Sequence, residues 1–265
     1  MLRRTLCSLL FFPWIAQGKP LDTRINADGF DSAEKDITKI CESVAAEFTG
    51  TWKDLPGTKV VVERGKEGPI TLDQRNEQGE TVVKLDTQGT YWSQYSYQFA
   101  HELCHVMATG NKRDRKHLWF EETMCETASL YCLRKMEGTW RSNAPYPNWQ
   151  SYAPKLGDYA KDVMLKREHY LPLVQSGLPA FYKQHRERLE AEPCDRELNG
   201  AMAIVMLACF EKQPQHWEAV KWLNAGPAGE LPSFAAFLKR WHDAGGAPGV
   251  RGEYCLALRH RSLGH

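Results

Sequence analysis

Charge excess of either sign is missing from this chain. Its 34 Lys and Arg stand against 33 Asp and Glu, a formal net charge of +1. Without a basic field, nothing draws the chain to nucleic acid or to an anionic membrane surface. Long apolar runs are also missing after the first twenty residues. The richest, AMAIVMLACF at 201–210, is far too short for a bilayer span. No CxxC pair occurs, which removes a zinc ribbon. GxSxG, P-loop and GxGxxG motifs do not occur either, so serine-hydrolase and nucleotide-binding readings have no support. Repeats and low-complexity tracts are lacking.

What remains is the profile of a soluble globular protein of 265 residues, 42% hydrophobic and 25% charged, long enough to bury a substantial core. The first 18 residues read as an export signal. MLRR is basic, TLCSLLFFPWI is apolar, and AQG places small residues before a cut after Gly18. An uncleaved anchor or a buried N-terminal helix is the other reading of that stretch. The expectation is a chain exported to the periplasm or secreted. Eight cysteines are present, and Cys7 falls in the signal. The odd number left in the mature chain implies a thiol that is free or paired between chains. Cysteines in apolar helical surroundings are expected to be buried and inert.

Periodicity gives an α+β chain. Ile37, Ile40, Cys41, Val44, Ala45 and Phe48 recur at helical spacing over 32–48, with Gly50 as a stop. TKVVVERG reads as a strand, and PITLDQRNEQGETVVKL as a hairpin turning near Asn76 to Gly79. A long helix is expected from about Tyr91 to Met107, with Gly110 as its C-cap, and a second from about Trp119 to Met136. The basic run NKRDRKH between them reads as a solvated loop. SNAPYPNW, beyond Gly138, marks a lobe boundary. Helical segments follow near 149–168, 178–191, 196–212, 215–224 and 232–242. The expected organisation is a signal at 1–18, an α+β lobe with a small sheet at 19–138 and a helical lobe at 139–265. Within YWSQYSYQF the spacing of Trp92, Ser96, Phe99 and Leu103 predicts a core stripe.

On the first long helix stands FAHELCHVM. His101 and His105, at i and i+4, lie about 40° apart around the axis and can reach one ion. Glu102 is rotated by about 100° from His101, placed to stand beside a metal and take a proton from water. A catalytic zinc keeps three protein ligands, so a third donor is required. The next helix, HLWFEETMCETASLY, supplies Glu122, with Glu126 one turn on to accept the outer N–H of a ligating histidine. An acidic stripe near a helix N-terminus would also be favoured by the helix dipole, and this is the competing account of Glu121 and Glu122.

HELCH followed by WFEETMCE resembles the gluzincin branch of the zinc metallopeptidases, the thermolysin-like and aminopeptidase-N-like enzymes. The likeness covers roughly residues 81 to 132. It implies a zincin-like first lobe and zinc held by His101, His105 and Glu122. It also implies Glu102 as general base, Glu126 supporting a histidine, and a peptide or protein substrate. In such enzymes a strand before the first motif helix rims the cleft and pairs with extended substrate, the place TVVKLDT occupies here. The chain departs from the branch in three ways. The 16-residue gap between His105 and Glu122 is short, which leaves Glu121 and Glu126 open as substitute ligands. Thr123 follows the ligand glutamate where a small residue is usual. RELNGAMAIVML resembles the branch's Tyr-x-Lys-Gly-Ala helix but carries Glu197 and Asn199 at the Tyr and Lys positions. Tyr152, Tyr159, His169, Tyr170 and His185 remain candidates for stabilising the oxyanion. Cys104 and Cys125 read either as a bridge between the two helices or as small residues easing their packing, and in neither case as metal ligands. The readings to separate are therefore three: a zinc peptidase, an inactive zinc-binding protein of the same scaffold that binds peptides, and a metal-free helical interaction protein.

Overall fold

The structure, a computed structural model, describes residues 21–48, 58–108, 114–170, 172, 177–226 and 229–245. The export segment, Gly50, Gly110, Cys255 and residues 111–113 of the basic run lie outside the described residues.

A four-stranded sheet is built from β1 (Asp22–Ile25), β2 (Lys59–Arg64), β3 (Ile70–Thr71) and β4 (Thr81–Leu85) in the order β1-β2-β4-β3. The hairpin forms as the sequence predicts: Ile70 and Thr71 pair antiparallel with Lys84 and Val83. Asn76 Oδ1 accepts from the amides of Gln78 and Glu80, and Gly79 turns the chain at φ +74°. The parallel pairing of β4 with β2, and of β2 with β1, is not visible in the sequence. Its signature is nonetheless there in Val60, Val61 and Val62, a continuous apolar run buried on both faces. β4 is consequently an inner strand, paired on both sides. The rim strand expected at TVVKLDT therefore does not lie at an edge; β3 is the outer strand beside it, and β1 the outer strand on the other side.

Among the described residues, seven α-helices fall on the expected segments: α1 (Glu34–Phe48), α2 (Trp92–Met107), α3 (Leu118–Asn143), α4 (Ala153–Leu165), α5 (Leu178–Ala191), α6 (Arg196–Lys212) and α7 (Phe234–Ala244). The segment near 215–224 is 3₁₀ over Pro214–Trp222. α3 is packed by α2, α4 and α6, and it carries apolar residues around most of its circumference because it has neighbours on most sides. Its buried threonine hydroxyls are satisfied within the helix: Thr123 Oγ1 donates to Trp119 O at 2.9 Å and Thr127 Oγ1 to Thr123 O at 2.7 Å. α3 runs unbroken through Gly138, so the expected lobe boundary falls inside an element. One apolar cluster extends from Ile25 through α3 to Trp241.

The basic run differs from a solvated loop where it is described. Asp114 and His117 are buried, with His117 Nδ1 3.0 Å from Asp114 Oδ2. Asp114 also accepts from the amides of Lys116 and Leu231, while the His117 ring lies over Phe237 at 5.3 Å. Together they tie the start of α3 to α7.

β1 is fastened to the hairpin by a two-pronged ion pair. Arg24 Nε donates to Glu80 Oε1 at 2.9 Å and Nη2 to Oε2 at 2.7 Å, with Asn76 Nδ2 adding a third bond at 2.7 Å. Arg24, and then Asn76, hold the Glu80 carboxyl down at about 2. Since the folded value lies below the unfolded one, this pair stabilises the fold above the ordinary glutamate range, and its contribution is lost as pH falls towards 2. Arg24 is half exposed, so the effect is modest and weakened by salt. Glu80→Gln is expected to lower stability slightly at pH 7 and to flatten its decline between about pH 5 and 2. Urea titrations across that range check it, and an unchanged slope would reject the role given to Glu80.

Candidate metal centre

α2 and α3 bring the motif residues together. The predicted stripe of Trp92, Ser96, Phe99 and Leu103 is buried, which fixes the rotation of α2 and turns His101 and His105 towards α3. His101 Nε2 lies 3.3 Å from Glu122 Oε2, and His105 Nε2 lies 3.5 Å from Glu122 Oε1. The two contacts go to different oxygens, so the Glu122 carboxylate bridges the imidazoles, each at a separation close to the roughly 3.3–3.4 Å between donors bound at 2.0–2.1 Å to one tetrahedral ion.

Each imidazole also has a carboxylate on the side of its outer nitrogen, within hydrogen-bond range at His105 and beyond it at His101. His105 Nδ1 lies 2.7 Å from Glu121 Oε1, and the other oxygen of Glu121 accepts from Asn224 Nδ2 at 2.8 Å. Asn224 in turn donates to the carbonyl of Ala108, just past α2. His101 Nδ1 faces Glu126 Oε2 at 3.9 Å. Glu126 accepts from the Tyr97 hydroxyl at 2.5 Å and lies 3.4 Å from Arg167 Nη2. Of the open alternatives, Glu121 is thus an outer partner of His105 and Glu126 one of His101, while Glu122 stands between the inner nitrogens.

Electrostatics follow the geometry. Burial opposes a charged His105, but Glu121 and Glu122 outweigh it and lift the imidazole well above its usual value. Burial likewise raises Glu122, yet the two imidazoles hold its carboxyl well below the carboxylate range. The cluster is arranged to be neutralised by positive charge, whether protons or a metal cation.

Glu102 is buried at 2% exposure beside the sheet edge, where its Oε2 accepts from Thr71 Oγ1 at 2.8 Å. The candidate base is therefore held against β3, an outer strand of the sheet.

Cys104 and Cys125 are both fully buried free thiols, so the bridge considered for them is not formed. Donor atoms of His101, His105 and Cys125 lie within 4.8 Å of one another, which makes Cys125 a rival third ligand. Burial, and next the Cys104 thiol, push the Cys125 thiol well above its usual range.

Neither the family models nor the curated proteins nor the solved structures contain a match to this chain. The gluzincin likeness therefore rests on the sequence motifs alone.

The oxyanion candidates are scattered. Tyr152 accepts from the Ser93 amide at 3.2 Å, and the ring of Tyr159 meets that of Tyr97 at 5.6 Å, beside Glu126. Tyr170 and His185 pack on Phe181, while His169 lies 3.9 Å from Glu197 at the surface. Glu197, at the position of the family tyrosine, is exposed. Asn199 is buried and braces Thr123 at 3.5 Å and the Pro193 carbonyl at 2.7 Å.

Sequence reasoning missed Thr71, Tyr97, Arg167 and Asn224. Tyr97 had a signal, since it stands four residues before His101 on the same helical face. The other three reach the site only through tertiary packing.

Proposed function

We propose that this chain is a zinc-dependent peptidase, with the ion held by His101, His105 and Glu122. The observation that carries the reading is the placement of the Glu122 carboxylate between the two Nε2 atoms, at 3.3 and 3.5 Å. When bound, zinc would supply Lewis acidity towards water and the scissile carbonyl. Glu102 would take the proton of the attacking water on its carboxylate and pass it to the leaving amine. Thr71 fixes that carboxylate, and Glu121 and Glu126 orient the two imidazoles. An extended substrate would lie along β3 by strand addition. Export rests on the N-terminal sequence pattern.

A second reading is a zinc protein of the same scaffold that binds peptides without cutting them. It is favoured by Glu197, which stands exposed where the family would place its tyrosine.

Wild-type protein purified without chelators is expected to carry one zinc per chain by elemental analysis and to cleave members of a mixed peptide library. Zinc without cleavage selects the second reading. Protein that neither carries zinc nor takes it up on titration removes both.

A further inference from the structure

Glu126 is buried at 7% exposure, and a buried carboxylate needs compensation. On one side the Tyr97 hydroxyl donates to it; on the other stands Arg167, itself buried at 8% exposure. Arg167 lies just past α4, and its guanidinium serves three elements at once. Nη1 donates to Val163 O in the last turn of α4 at 2.7 Å. Nε and Nη2 donate to Arg196 O in the first turn of α6, at 3.3 and 3.2 Å. Nη2 faces Glu126 on α3.

That position exists because residue 200 is glycine. A Cβ there would stand 2.1 Å from Arg167 Nε, 2.7 Å from Cζ and 2.8 Å from Cδ. Gly200 sits inside α6 with no left-handed φ, where glycine is a weaker helix former than alanine. A helix interior that bears this penalty has a packing reason, and here the reason is the passage of the guanidinium.

We propose that Arg167, admitted by Gly200, is a positioning residue for His101: it supplies the counter-charge that keeps Glu126 facing the outer nitrogen of that imidazole, so that Nε2 is presented to Glu122. The inference rests on reading His101 as a metal ligand. His105 provides the internal control, because its outer nitrogen is held by Glu121 and Asn224, independently of Arg167.

The test uses the full chain, metal-free, with 15N-labelled histidine. Arg167→Met and Gly200→Ala are each expected to shift the ring-nitrogen resonances of His101 and to leave those of His105 in place. In competition with a chromophoric chelator, zinc affinity should weaken about 10- to 100-fold in both. Arg167→Lys covers the case in which these variants do not fold. One ammonium cannot serve two carbonyls and a carboxylate together, so the His101 resonances shift there too. Unmoved His101 resonances overturn the proposal, and so does a joint shift of both histidines, which marks a merely structural role. If the wild type binds no zinc, the metal reading falls, while the imidazole resonances still decide whether Arg167 positions His101.

Discussion

Glu102→Gln is expected to retain one zinc per chain and to lose about 10²- to 10⁴-fold in peptide turnover. Glutamine matches glutamate in shape, which matters at a side chain only 2% exposed. Its amide oxygen can still accept from Thr71 Oγ1, so the contact with β3 survives. What it loses is the capacity to take a proton from water. His101, His105 and Glu122 are untouched, and zinc content should not change. Single-turnover kinetics alongside elemental analysis separate the two effects. Full activity in this variant would remove Glu102 from the chemistry, and loss of zinc would show that it supports the ion instead.

Glu122→Ala is the complementary case, with zinc affinity falling by more than about 100-fold and activity falling with it. The variant takes away the one carboxylate set between both inner nitrogens, leaving His101 and His105 without their shared partner. Glu121→Gln should be milder, about 10- to 100-fold in affinity, because it alters only the outer bond of His105. An inverted order, with Glu121 the more damaging, would transfer the ligand role to Glu121. Cobalt substitution addresses Cys125. A strong sulfur-to-cobalt charge-transfer band, lost in Cys125→Ser, would replace Glu122 by the buried thiol as third ligand.

The helices were legible because their signals are local. α5 and α6 span the residues the pattern predicts, and the turn of the hairpin falls at Asn76–Gly79 as its residue types require. The i and i+4 spacing alone places His101 with His105, and Glu122 with Glu126, each pair on one face. Boundaries in space were less legible. Nothing local at Gly138 ends α3, because the neighbours that bury the helix come from distant parts of the chain.

By itself, then, the sequence determined seven helical segments, strand β2 and the hairpin, the motif and the pair of helices that carry it, while β1 went unread and the segment near 215–224 is 3₁₀. Folding alone decided that β4 is an inner strand and that β1 and β3 are the outer ones, since a strand's neighbours depend on parallel partners some twenty to forty residues away. It also decided which carboxylate serves which nitrogen: Glu121 and Glu122 are adjacent in the chain, yet one faces the outside of His105 and the other its inside. Thr71, Asn224 and Arg167 became part of the site for the same reason. A side chain's partner across a packed interface is set by the rotation and depth of whole helices, which no window of sequence contains.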